Sequence, residues 1–326
     1  MEPLEYRQAV AAYLADCRRR GLRPATLKHY EFALGRVGDS LGVALVQDIA
    51  IGRVRGFIDD AGMSPVSVRG ILRALRTFTG WLVDEGLLER DPLARLRMTH
   101  VDERLVVVPT DDELVRLLRA AAPTLRVALA VLAGTGIRAN DLAGIGDGSL
   151  RPGGLVLLST KNRAGRLVPL DPVLEALLRR HAADRRPSED GALLVTRSGR
   201  RLGGDALRLA MTDARARAGI AIRVSPHVLR HWHARDLGAH GISDRLMAAR
   251  MGWRSPSLVG RYAPVSEHEL RLDVERYAPL VRLRDDGWLD GVFPRSVLIG
   301  LAAHPAKNER SRVGESARTS PRARRS

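Results

Sequence analysis

Apolar and polar positions alternate with a helical period over the first third of the chain. Leu4, Ala11, Tyr13 and Leu14 mark a first helix that ends at Gly21. Pro24 and Thr26 open a second, with Leu27, Tyr30, Leu34 and Val37 on one face before Gly42. A third is expected over Ile51 to Ile58. Ser64-Pro65 offers an N-cap and a proline at the first position of a fourth helix. That helix carries Val68, Leu72, Leu75, Phe78, Trp81 and Leu82 to Gly86, and Asp91-Pro92 closes the unit. The pattern predicts a small all-α bundle over residues 1–96, with Arg69, Arg73 and Arg76 off the apolar stripe.

The period is lost over residues 97–109, and Val106-Val107-Val108 is extended in character, so this stretch reads as a linker. Thr110 and Glu113 then form a capping box ahead of Leu114, Leu117 and Leu118. A second domain is expected over 110–280, with helices at 111–121, 124–134, 172–182, 204–218, 226–239, 243–251 and 266–276. Between them Leu155-Val156-Leu157-Leu158 and Leu167-Val168-Pro169-Leu170 flank a polar, glycine-containing turn, the signature of a hairpin. The fold class is therefore mainly α with a small β-hairpin or sheet: a helical domain followed by a mixed α+β domain.

Residues 281–326 read as an extension. Beyond about 302 it is rich in Ser, Arg, Pro and Ala, with seven basic residues from Lys307 to Arg325 against two acidic ones. Such a composition predicts a disordered basic tail. The apolar run Val297 to Ala303 before it has no evident role in the pattern.

Charge narrows the partners. The 326 residues hold 53 Lys+Arg against 37 Asp+Glu, a net charge of +16, with an isoelectric point near 11.2. This favours a polyanion, nucleic acid before an anionic membrane surface, although an arginine-rich composition in general would give the same excess. Cys17 is the only cysteine, which excludes an internal disulfide and a cysteine zinc cluster. The start Met1-Glu2-Pro3-Leu4-Glu5-Tyr6 lacks the basic and apolar blocks of a secretory signal. The best apolar run, Leu125 to Gly136, is interrupted by Arg126 and too short for a bilayer. A soluble cytoplasmic protein is expected. No glycine-rich phosphate loop and no His/Asp/Glu set with ligand spacing is present, so no cofactor or metal is expected.

Four separated motifs carry chemistry. They are Gly134-Thr135-Gly136-Ile137-Arg138-Ala139-Asn140-Asp141-Leu142, Thr160-Lys161-Asn162, Pro226-His227-Val228-Leu229-Arg230-His231, and Gly252-Trp253 with Tyr262 nine residues beyond. In this order the set resembles the scattered active site of the tyrosine recombinases of the phage integrase family. Each motif alone is weak, and the ordered set is specific. The likeness covers nearly all of residues 1–278, with Asp141 where the family usually carries Glu and Met251 where Leu is more usual. It implies an N-terminal SAM-like core-DNA-binding domain and a catalytic domain, closing as a C-shaped clamp on double-stranded DNA. It further implies a homo-tetramer on two DNA sites exchanging strands in pairs through a Holliday junction, and it admits accessory DNA-bending proteins. No further domain is evident before residue 4, which argues against an arm-site-binding integrase.

The residue types suit metal-free attack on a phosphodiester. A tyrosine hydroxyl is only ~0.1 % ionised at neutral pH and needs its proton accepted. Arg138 and Arg230 would clamp the non-bridging oxygens by charge-assisted hydrogen bonds. Lys161, at a hairpin tip, would protonate the leaving 5′ oxygen, and His227 would accept the Tyr262 proton or hold the phosphate. His227 and Arg230 are three apart on a helix and share a face. Trp253 would donate its indole N–H and pack the site closed. The product would be a 3′-phosphotyrosyl bond, which stores the energy for rejoining without ATP.

Each residue also has an ordinary reading. Arg138 could pair with Asp141, Lys161 could be a solvated turn residue, and His227 a satisfied histidine. Trp253 and Tyr262 could be half-buried aromatics. His231 reads as structural or supporting, and His233 and His240 have no assigned role. Rival functions are a type IB topoisomerase-like cutting and resealing of one strand, a DNA-binding module with a decayed site, and a basic membrane-surface protein, for which no amphipathic anchor is visible. Integration, excision and chromosome-dimer resolution all fit the same residues.

Overall fold

The computed structural model describes residues 4–60, 62–98, 106–158, 165–253 and 265–299. The chain divides into two compact units, residues 1–105 and 106–326.

The first unit holds α1 (Tyr6–Arg19), α2 (Pro24–Leu41), α3 (Ile51–Asp60) and α4 (Pro65–Asp84). Ser64 caps α4, its Oγ accepting the Ser67 N–H at 3.3 Å. The core is aromatic and leucine-rich, with Tyr6, Tyr13, Leu34, Leu72, Leu75, Phe78 and Leu82 buried. Tyr13 packs against Tyr30, Phe78 and Trp81 at centroid distances of 5.7, 5.4 and 5.3 Å. Burial of each such side chain stabilises the bundle by about 1.5–3 kcal/mol.

The second unit is built around α6 (Pro123–Thr135), preceded by α5 (Asp111–Ala120). Leu125 and every residue from Val127 to Ala133 are buried, so α6 is a central helix and not an amphipathic one. The short α7 (Ala139–Ala143) leads to a three-stranded antiparallel sheet of order β1-β2-β3. Its strands are β1 (Leu150–Arg151), β2 (Gly154–Leu158) and β3 (Gly165–Pro169). Leu155 pairs with Val168, Leu157 with Arg166 and Leu158 with Gly165. Four helices follow: α8 (Pro172–Asp184), α9 (Gly204–Arg217), α10 (Pro226–Ala239) and α11 (Asp244–Met251). After the segment that contains Tyr262 come α12 (Glu267–Arg276), α13 (Pro279–Asp285) and α14 (Arg295–Ile299).

The last two helices belong to the core. Leu280, Leu283, Leu289, Val292, Phe293 and Val297 are buried in the same cluster as α6 and α8. Val297 thus gives the apolar run around it a purpose as far as the described residues extend. Arg282 ties α13 down, with Nη2 2.8 Å from Asp236 Oδ1 and Nη1 2.8 Å from Asp111 Oδ2. The Tyr277 hydroxyl joins this network by donating to Asp236 Oδ2 at 2.5 Å. Among the described residues no helix is long and apolar enough to cross a membrane.

Candidate active site

The carboxyl-terminal end of α11 organises the site. Helices leave their last carbonyls without intrahelical partners and carry partial negative charge there. Across the last two residues of α11 and its cap Gly252, three consecutive carbonyls each take an arginine from a different part of the chain. Arg250 O accepts Arg166 Nη1 from β3 at 3.2 Å. Met251 O accepts Arg230 Nη2 from α10 at 2.7 Å. Gly252 O accepts Arg138 Nη2, ahead of α7, at 3.3 Å.

Two glycines make this convergence feasible. Gly136 ends α6 at φ +62°, and a Cβ there would lie 2.7 Å from the His233 ring. Its carbonyl accepts Arg230 Nη1, so the turn after α6 and the end of α11 grip one guanidinium. Gly252 ends α11 at φ +62°, and a Cβ there would fall 2.6 Å from Arg166 Nη1. Only glycine combines that backbone with that proximity at low cost.

Arg230 is 6 % exposed. Burial, followed by the charges of Arg138 and Arg166, pushes its guanidinium down to about 10, so it remains a cation at neutral pH. Its Cζ lies 5.8 Å from the centroid of the Trp253 ring. Trp253 itself is half exposed, and its backbone N–H returns to Ala248 O at 2.9 Å. Arg138 is exposed. Its backbone N–H donates to Asp141 Oδ2 at 3.4 Å, so Asp141 caps α7 and leaves the Arg138 side chain unpaired with it.

Ser225 caps α10 through Val228 N–H at 3.3 Å, with Pro226 in the first turn. His227 follows in that turn, exposed. Its Nε2 stands 2.9 Å from His231 Nε2, the two rings edge to face, so one ring donates and the other accepts. Burial, then the neighbouring His227 and Arg230, lowers the affinity of His231 for a proton. His233 is fully buried, its Nδ1 2.8 Å from Ala133 O, and burial pushes it down to about 3. It is a neutral packing group behind Gly136. His240 Nδ1 lies 2.8 Å from the Tyr277 hydroxyl.

Of the six sequence-selected residues, Arg138, Arg230 and Trp253 are therefore brought together at the end of α11, and His227 stands three residues before Arg230 on α10, against His231. Lys161 and Tyr262 lie outside the described residues. The sequence reading passed over Arg166 and Arg250. Arg250 is buried, its Nε 2.6 Å from Asp273 Oδ2, and its Nη2 reaches Tyr277 O at 2.8 Å. The only sequence signal for Arg166 was a cation inside an otherwise apolar strand. Among the described residues no three His, Cys, Asp or Glu side chains are grouped to hold a metal. A cleft of about 830 Å³ beside Val127, His181 and Phe293 lies at the opposite end of α6 from Gly136.

Comparison with known proteins bears on the whole arrangement. A family model described as Phage integrase family matches residues 108–269. Tyrosine recombinase XerD of Mycobacterium tuberculosis H37Rv is 31 % identical over 294 residues, 83 % of this chain and 93 % of that one. The chain belongs to the phage integrase family of tyrosine recombinases. It is thus an enzyme of a class that cuts and rejoins DNA strands in site-specific recombination. XerD of Oceanobacillus iheyensis is 26 % identical over 279 residues, 80 % of this chain and 94 % of the relative. Among solved structures, a lambda integrase dimer bound to a COC′ core site aligns with a TM-score of 0.65 at 19 % identity, covering 82 % of this chain and 81 % of that one. The Tn1549 transposon integrase with circular intermediate DNA aligns at 0.64 and 15 % identity, covering 83 % and 99 %. These likenesses bear out the mainly helical tyrosine-recombinase fold with its small sheet.

Proposed function

We propose that Tyr262 attacks a DNA phosphodiester held by Arg138 and Arg230, giving a 3′-phosphotyrosyl link and a free 5′-hydroxyl. The convergence of these two arginines on the adjacent carbonyls Gly252 O and Met251 O carries the reading. It sets two cations side by side at the start of the segment that leads to Tyr262. Negative charge on the phosphate grows in the pentacoordinate transition state, and preorganised donors then act most strongly. His227 accepts the tyrosine proton, His231 orients it, Lys161 protonates the leaving 5′ oxygen, and Trp253 shields the phosphate. Rejoining is the reverse attack by a 5′-hydroxyl of a second strand.

The helical unit that closes by residue 96 binds the core DNA, residues 97–109 connect it, and residues 110–280 hold the chemistry. The acting form is a homo-tetramer on two double-stranded sites in the cytoplasm. The likeness to a lambda integrase tetramer bound to a Holliday junction supports this. Accessory DNA-bending proteins are compatible with this assembly.

The test is covalent capture on nicked duplexes selected from a randomised pool, with wild type and Tyr262→Phe run on a denaturing gel. A protease-sensitive 3′ adduct with wild type alone is expected. An equal adduct with Tyr262→Phe would overturn the reading.

A further inference from the structure

We propose that Arg166 is a positioning residue for strand cutting, fixing the carboxyl-terminal end of α11, and with it Trp253, against the sheet strand that follows Lys161 in sequence. This rests on the assignment of Tyr262, Arg138 and Arg230 above. Arg166 leaves β3 opposite Leu157 and reaches Arg250 O at 3.2 Å. Its guanidinium fills the space a side chain at Gly252 would take. It thereby contacts the two residues that flank Met251, whose carbonyl holds Arg230.

The electrostatics are not those of a group placed for stability alone. Arg166 sits with two other cations, Arg138 and Arg230, and the carboxylate facing the group is Asp141, 3.7 Å from Arg166 Nη2. That Nη2 is buried and makes no hydrogen bond. Crowding like charges around one short carboxylate costs stability, and a neutral side chain would pack there more cheaply. Such a cost is typical of sites arranged for an anionic ligand. A phosphate at Arg138 and Arg230 would offset it, so Arg166 holds α11 most firmly when DNA is bound. Lys161 lies five residues before Arg166, and Tyr262 nine after Trp253. One guanidinium thus links the strand beyond the proton donor to the helix end before the nucleophile.

The experiment compares wild type, Arg166→Met, Arg166→Lys and Lys161→Ala on nicked duplexes chosen by covalent capture with wild type. Each duplex is made with oxygen or with sulfur as the bridging 5′ atom. A thiol, with a reference pKa of about 8.5, leaves as thiolate without a proton donor. Lys161→Ala should therefore lose cutting on oxygen and regain it on sulfur. Arg166→Met should cut about 100-fold more slowly on both when the DNA is saturated with protein, as a misplaced nucleophile does, with a thermal midpoint no lower than that of wild type. Wild-type rates for Arg166→Met, or recovery on sulfur, would overturn the proposal. If Arg166→Met does not fold, Arg166→Lys is read by the same two criteria. Absence of any wild-type adduct would instead overturn the assignment of Tyr262, and this proposal with it.

Discussion

Arg250 Nε lies 2.6 Å from Asp273 Oδ2, an ion pair in which the side chains are 5 % and 7 % exposed. Arg250 is the penultimate residue of α11 and Asp273 lies within α12, so the pair closes the chain around the segment that contains Tyr262. The same guanidinium also donates to Asp273 O at 2.5 Å. Asp273→Ala should destabilise the second unit by about 3–5 kcal/mol, because it strands a buried charge. Urea unfolding of the single variant beside Arg250→Met/Asp273→Ala checks this, the double variant being expected to lose less than the single.

Arg138 and Arg230 should separate in what they do. Either change to alanine should slow covalent capture by about 100- to 1000-fold. Arg138 is exposed, so Arg138→Ala should leave the melting curve in place. Arg230 holds Gly136 O and Met251 O, so Arg230→Ala should lower it. Paired capture and melting measurements distinguish the two.

Gly252→Ala pays for a left-handed backbone and also collides with Arg166, whereas Gly241→Ala, at φ +74° with open space around it, meets only the backbone strain. Both should lose about 1 kcal/mol of stability from conformation. Capture should fall with Gly252→Ala and persist with Gly241→Ala. Equal capture by the two would show that the Arg166 contact is dispensable.

Asp171 caps α8, with Oδ1 accepting Leu174 N–H at 2.9 Å, and burial raises its carboxyl to about 6. A raised acid favours the protonated folded state. Its contribution is fully present below the unfolded value near 3.8 and is lost as pH rises through 6. His233, depressed to about 3, acts in the opposite sense and costs stability as pH falls below 6.5. The two oppose each other between pH 3.8 and 6, so the wild-type curve alone does not resolve Asp171. Asp171→Asn keeps a competent cap. Relative to wild type it should gain on the order of 3 kcal/mol between pH 4 and 8. A difference in unfolding free energy that is flat across that range would contradict this.

Residues 300–326 should be removable without loss of folding, and nonspecific DNA binding should weaken while cutting persists. A stop after Ala278 should instead unfold the second unit, because it removes Leu283, Leu289 and Phe293 and so uncovers the α6 and α8 side chains they pack against. Thermal melts of the two truncations decide the point.

The longer helices were legible where periodicity and caps agree, as at Ser64-Pro65 and at Thr110 with Glu113, whose box is present at 3.2 and 2.9 Å. α7, β1, α13 and α14 are too short to display a period, and tertiary burial shapes them. The site motifs were readable because Arg138, His227, Arg230 and Trp253 occur in distinctive local runs. Arg166 and Arg250 were not, since their partners are backbone carbonyls and a carboxylate 23 residues away. Neither kind of partner leaves a trace in local sequence.

Arg230 spends two of its N–H groups on the carbonyls of Gly136 and Met251. A guanidinium has five, fixed in one plane, so three are left for a ligand. An ammonium at this position would have to choose, because its three donors radiate from a single atom. The requirement for arginine at 230 is thus one of valency as much as of charge. The group that fastens two turns of the fold therefore still has donors to offer a ligand without letting go, and a lysine would keep the charge while losing the joint.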